Sequence, residues 1–255
     1  MLTDLTRGIG YALKGFSLVR QRKVLPFALV PLLINAVLFG GLIWFGAEYF
    51  QQFMNAQLPD WLDWAFVRAL LWILFALAAA LVGFYTFTLI ANLIAAPFNG
   101  WLAERVEVHL RGGRGDEGEQ RGLAGEVVAS FGAELRKLVY LALWAIPLLV
   151  LFLIPVVNLV AAPLWLLFGA WMMALEYIDC PLGNHGVVFS RGRGLIAQRR
   201  WVALGFGGTV MLFTTVPILN LVAMPVAISG ATALYVEEMA GLVGREDGGT
   251  ANGRE

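Results

Sequence analysis

Residues 155–163 read PVVNLVAAP, and 62 residues later 217–225 read PILNLVAMP. The same core returns as NLIAAP at 92–97, where Leu89 stands in place of the leading proline. Each copy lies in a run without Asp, Glu, Lys or Arg; the four such runs are 24–47, 69–103, 138–175 and 201–236. All four exceed the roughly 20 apolar residues that span a bilayer. With 59% hydrophobic and 14% charged residues and a mean hydropathy of +0.74, the composition is that of a polytopic α-helical membrane protein. A β-barrel would instead show alternating segments of about ten residues.

The repeat decides how the runs are divided. Run 24–47 suits one tilted span, with Pro26 in its first turn and a kink at Pro31. Run 69–103 is read as one long helix that leaves the membrane near Asn92–Pro97. In the last two runs a pair of prolines brackets the asparagine, which favours a turn and splits each run into two limbs. Limbs 138–154 and 164–175 would be about 25 and 18 Å long, short of the about 30 Å hydrocarbon core.

Charge sets the sidedness. Residues 1–23 hold five basic side chains and one acid, 104–137 hold six basic residues, 176–200 hold four, and 48–68 hold one basic residue and three acids. The excess of Lys and Arg puts 1–23, 104–137 and 176–200 on the cytoplasmic side and 48–68 outside. Runs three and four must then begin and end on the cytoplasmic side, as two short-limbed hairpins or as paired full spans. The expected fold is an all-α integral membrane protein with two long transmembrane helices, two partly inserted (re-entrant) hairpins and an N-terminal amphipathic helix. Residues 1–240 would form a single helical membrane domain, with a flexible cytoplasmic loop at 111–125 and a disordered tail at 241–255. Leu5, Ile9, Ala12, Phe16 and Val19 recur at helical spacing, so the segment 4–20 either lies in the membrane interface or caps its own protein. No signal peptide is expected, because the first apolar run starts at residue 24 and is too long for one.

Catalytic chemistry is not legible. There is no phosphate-binding or dinucleotide motif, and GFGG at 205–208 reads as close helix packing. His109, His185 and the single Cys180 stand apart in sequence, so no metal set and no cofactor is expected. Glu237 and Glu238 read as the solvated end of a helix face. The formal net charge of zero, 18 basic against 18 acidic residues, gives no reason to expect nucleic acid. The uncharged runs disfavour a cation or proton pump and are compatible with an anion path. Arg20, Arg22 and Lys23, just before a helix starting near Val24, form a candidate anion site with the helix-start amides; anchoring to the membrane surface is the other reading of the same cations. Asn92, Asn158 and Asn220 either cap turns and glue helices or line a polar path.

Several motifs carry a family resemblance: GFSLV at 15–19, VPLLIN at 30–35, IANLIAAPFNGWLAE at 90–104, ALEYIDCPLGNHGVVF at 174–189, with its Y-x-D-x-P-x-x-N-H pattern, and MPVAISGATALYVEE at 224–238. On these the chain resembles the CysZ sulfate permeases, related to the etoposide-induced membrane proteins, from about residue 8 to 238. The resemblance implies uptake of sulfate across the bacterial inner membrane for cysteine synthesis without ATP hydrolysis, through a multi-pass oligomer of the fold described. It also implies a Gly-x-Arg sulfate site before the first long helix, where this chain has Lys23-Val24-Leu25. The expected sulfate contacts are therefore Arg20, Arg22, Lys23 and Val24. The expected path runs past Asn35, Asn92, Asn99, Asn158 and Asn220, with Glu104 and Arg105 as a gate or a plain surface pair. Expected partners are sulfate, membrane lipid and further copies of the chain. A non-conducting scaffold is the alternative from another class.

Overall fold

A computed structural model describes residues 1–57, 65–113 and 123–244 of the chain. Eight α-helices are described: α1 (Leu2–Val19), α2 (Leu25–Gln57), α3 (Ala65–Leu110), α4 (Leu123–Phe152), α5 (Asn158–Asn184), α6 (Phe189–Gln198), α7 (Arg200–Thr215) and α8 (Pro217–Leu234). A π-turn at Tyr235–Met239 follows, and helix continues to residue 244. There is no strand among the described residues. Most of the expected 111–125 loop and of the 241–255 tail lies outside them; within them, 123–125 open α4 and 241–244 remain helical.

The leading proline of each repeat decides where helices break. At 89–97 the leading residue is leucine, and α3 runs through the whole repeat without interruption. At 217 the leading residue is proline, and the break falls on the preceding Val216, held extended at φ −92°, ψ 115°. A residue before proline is pushed out of the helical region by the pyrrolidine ring, whereas proline itself suits the first helical position. At Pro155 helix α4 stops at Phe152 and a turn over 153–157 precedes α5. The turns therefore precede the asparagines rather than surround them. The second prolines, Pro163 and Pro225, lie inside α5 and α8, so the limbs are longer than the bracketing pattern suggests. Val156 takes φ 71°, a conformation that costs a β-branched residue of order 1–2 kcal/mol.

The chain divides into two compact units, Pro26–Phe98 and the rest. In the first, α2 and the start of α3 meet through a ring cluster: Phe50 stacks on Phe75 at 3.8 Å and meets Trp72 edge-on at 4.7 Å. Large apolar residues on both helices, among them Val37, Trp44, Phe45, Phe66 and Ile73, are exposed. Helix α2, with 33 residues, is about 50 Å long, ten residues beyond the uncharged run.

The second unit is a bundle of α1 and α4–α8 with the end of α3. Contacts fix its directions. Lys137 meets Asp179, Tyr140 meets Trp171, and Phe152 meets Trp165, so α4 and α5 are antiparallel. Gly15 lies against Val226, Gly230 against Tyr11, and Arg7 pairs with Glu238, so α1 and α8 are antiparallel. Gly8 meets Val202 and Phe206 while Phe16 meets Phe213, so α1 runs with α7. His185 stacks on Tyr235 at 4.9 Å, bringing the ends of α5 and α8 together. Two helical hairpins follow, α4/α5 and α7/α8, with both tips at one end of the bundle.

The seam of this bundle is made of glycine. A methyl group on Gly8 would collide with the Val202 carbonyl, and one on Gly207 with that of Ala170. The GFGG stretch is thus a close-packing device, as its sequence suggested. Thr209, Ser229 and Thr232 satisfy their hydroxyls on carbonyls four residues back, at 2.8 Å, which lets the last two be fully buried. Helix α1 buries Gly8, Tyr11, Ala12, Gly15 and Leu18, while Ile9 and Leu13 point outward. Of the apolar set read from its periodicity, only Ala12 is in the buried face; small residues were chosen there because the backbones approach so closely.

Candidate functional site

The end of the bundle opposite the tips is a belt of ion pairs. Glu238 is almost fully buried, with Arg7 against it, Arg199 at 3.7 Å and the Tyr11 hydroxyl donating at 3.2 Å. Glu237 receives Lys14 and the same hydroxyl at 3.1 Å. Burial and the two carboxylates push the Tyr11 hydroxyl well above the usual phenol range, so it stays a donor. Glu237 is exposed, as expected, whereas Glu238 is buried; the two together fasten α1 to the π-turn.

The Y-x-D-x-P-x-x-N-H stretch is a second set of fasteners. Asp179 pairs with the buried Lys137 of α4 at 2.9 Å, and Glu176 stands 3.4 Å from the same ammonium. The Asn184 amide donates to the Gly100 carbonyl of α3 at 2.8 Å. His185 Nε2 lies 2.9 and 3.0 Å from the two Glu107 oxygens, and Arg111 pairs with the same carboxylate at 2.8 Å. His185 is therefore not alone, but its partner is a single carboxylate. Among the described residues no group of His, Cys, Asp and Glu could hold a metal ion.

The expected site residues divide between the two ends. Asn99, Glu104 and Arg105 lie on the part of α3 fastened by Asn184 and His185, hence at the belt. Consecutive helix positions point apart, so Glu104 and Arg105 do not face one another; the paired carboxylate on this helix is Glu107, which sequence reading passed over. Asn158 and Asn220 open α5 and α8 at the tip end, and both are exposed. The side chains of Asn35 and Asn92 lie outside the described part of the structure, and their backbones are helical.

Arg20, Arg22 and Lys23 also belong to the tip end. Contacts step four residues at a time, Tyr11 with Gly230 and Gly15 with Val226, which brings Val19 level with Val222. The basic turn follows at once. Its three cations are exposed and form no ion pair with a described carboxylate. Arg7 and Lys14, on the same helix, are at the belt. The five cations of residues 1–23, counted together as one cytoplasmic segment, are thus divided between α1 and the turn that follows it. Val24 is buried, and its N–H, like that of Leu25, is already bonded to the Gln21 carbonyl at 2.9 Å. These two amides are not free to receive an anion.

Among the described residues two helical segments are long and apolar enough to cross a membrane, Asn158–Asn184 and Val222–Gly244, and the chain is a membrane protein. A family model described as sulfate transporter CysZ/etoposide-induced protein 2.4 matches residues 11–225. A sulfate transporter CysZ of Pseudomonas fluorescens is 44% identical over 240 residues, covering 93% of this chain and 96% of the relative. Proteins of that name from Pseudomonas aeruginosa and Vibrio parahaemolyticus are each 41% identical over 91% of this chain, covering 95% and 94% of the relatives. The chain belongs to the sulfate transporter CysZ/etoposide-induced protein 2.4 family.

Proposed function

We propose that this protein carries sulfate across the bacterial inner membrane, as a multi-pass homo-oligomer that hydrolyses no nucleotide, to feed cysteine synthesis. The observation that carries the reading is identity of 41–44% to sulfate transporters along more than nine tenths of both chains. Helices α2 and α3 would span the bilayer. The two hairpins would enter from the cytoplasmic face with the ion-pair belt at that surface. Three features support partial insertion: the tips are apolar and exposed at Leu153, Val156, Leu159 and Ile218; the hairpins' own charged residues lie outside 138–175 and 201–236, toward the opposite end; and α7, with 16 residues, is about 24 Å long against an about 30 Å core.

In this arrangement the turn Arg20–Lys23 stands at the depth of the tips, far from the belt. Sulfate arriving from the periplasm would meet three unpaired cations there, and Asn99, Glu104 and Arg105 would lie toward the cytoplasmic exit. Where relatives are expected to have the planar fork of an arginine this chain has Leu25, and Lys23 would supply a point charge from a shifted position. Lipid would cover the exposed faces of α2, α3 and α5. The test is uptake of radiolabelled sulfate into liposomes holding only the purified protein. Uptake above empty liposomes, lost in Arg22→Ala/Lys23→Ala, is the expected result. No uptake by folded, inserted protein would favour a non-conducting scaffold.

A further inference from the structure

The two proline-led repeats end in the same place, at the tips, but they do not meet the same surroundings. The hairpin that carries Asn158 brings no cation to its tip: residues 138–175 contain none, and the nearest basic residue on α4, Lys137, is spent on Asp179 at the belt end. Asn220 is different. Helix α1 packs along α8 in a register of Tyr11 with Gly230 and Gly15 with Val226, so the turn that ends α1 arrives level with the first turn of α8. Three exposed cations without ion pairs and an exposed side-chain amide without a hydrogen-bond partner among the described residues thus share one end of one hairpin. An amide that donates through Nδ2 adds a directed hydrogen bond to what Arg20, Arg22 and Lys23 supply as charge.

From this juxtaposition we infer that Asn220, and not its repeat counterpart Asn158, is a binding residue for the tetrahedral oxyanion, completing the site begun by the basic turn. The inference rests on the reading of that turn as the sulfate site. It gives the two copies of one motif different duties: Asn158 begins α5, and Asn220, in the first turn of α8, touches the cargo.

Aspartate separates the duties. In the first turn of a helix a carboxylate is at least as welcome as an amide, since it faces the positive end of the dipole. For an anion site the same change is hostile, because it removes the donor and adds repulsion. The experiment is equilibrium binding of radiolabelled sulfate to the purified full chain in detergent, with uptake into liposomes measured in parallel. Asn220→Ala is expected to weaken sulfate binding about tenfold, the scale of a lost hydrogen bond to a charged group. Asn220→Asp is expected to weaken it further with an unchanged melting temperature, while Asn158→Asp and Asn158→Ala leave binding as it was. Equal effects at the two asparagines, or binding by Asn220→Asp equal to that of the unaltered chain, would overturn the inference. If Arg22→Ala/Lys23→Ala binds as the unaltered chain does, the reading of the basic turn falls and the role of Asn220 with it. Binding that is lost in Arg22→Ala/Lys23→Ala but kept in Asn220→Asp would sink Asn220 alone. Absence of binding by the unaltered chain would overturn both.

Discussion

Hairpins α4/α5 and α7/α8 begin from nearly the same nine residues at their tips and reach opposite ends in burial. In α5 only 22% of the apolar window is buried; in the span from Val222 to Gly244 the figure is 72%. The difference lies in what stands behind the tip. Helices α7 and α8 carry Gly205, Gly207 and Gly230, which admit the backbones of α1 and α5 at distances no Cβ would permit. Helix α5 shows Leu159, Leu166 and Leu167 outward and α4 shows Leu143, Trp144 and Ile146, all exposed among the described residues. Between hydrocarbon and leucine there is little to choose, so in a membrane small residues, not large ones, mark the packed side. The same rule explains why the buried face of α1 is Gly8, Ala12 and Gly15 rather than Ile9 and Leu13.

The contrast can be broken most severely at its seam. Gly207→Leu should destabilise the bundle by more than about 3 kcal/mol, since the new side chain meets the α5 backbone rather than a movable side chain. The check is loss of the monodisperse species on heating in detergent. Next comes Glu238→Ala, which strands Arg7 and Arg199 and removes the buried carboxylate between them. Both cations are nearly half exposed and can turn to water, so a cost of about 2 kcal/mol is expected rather than the larger figure for a fully buried pair. Proteolysis at the N-terminus should quicken as α1 lifts. A cost above that of Gly207→Leu would mean that the ion pairs, not the glycines, hold α1.

Tyr11→Phe should cost about 1 kcal/mol by removing a hydroxyl shared between two carboxylates. The hydroxyl also gives a pH signature. Its folded pKa is raised above the unfolded value near 10, so its contribution is complete below pH 10 and declines as pH rises beyond it. A melting temperature that falls more steeply above pH 10 in the unaltered chain than in Tyr11→Phe is the expected outcome; parallel curves would remove Tyr11 from the account. Smallest of all, Leu166→Ala on the outer face of α5 should change stability in detergent by less than about 0.5 kcal/mol. A large loss there would show that protein covers α5, and an interface between copies would be the first place to look.

The four uncharged runs, the long α3 and a break at each leading proline were legible in the sequence, though the turns fall before the asparagines rather than around them. A charge inside hydrocarbon is costly wherever the chain goes, and a leading proline breaks a helix whatever surrounds it; these are local facts. Leu89 against Pro155 and Pro217 shows how local: one residue separates an unbroken helix from a turn. The candidate anion residues were legible too, as three cations before a long helix. What could not be read was where they sit. Arg7 and Lys14 on α1 differ from Arg20, Arg22 and Lys23 in the turn after it only by a few residues of chain, and that becomes a difference between belt and tips once α1 is laid against α8. Pairings such as Tyr11 with Glu238, 227 residues apart, and His185 with Glu107, 78 residues apart, leave no periodic trace. The sequence by itself determined the uncharged runs, the helices and that a leading proline breaks them, because each follows from the chemistry of neighbouring residues. Only the tertiary structure decided which charges are spent on one another and which stay free beside Asn220, because that depends on how closely glycine lets distant backbones approach.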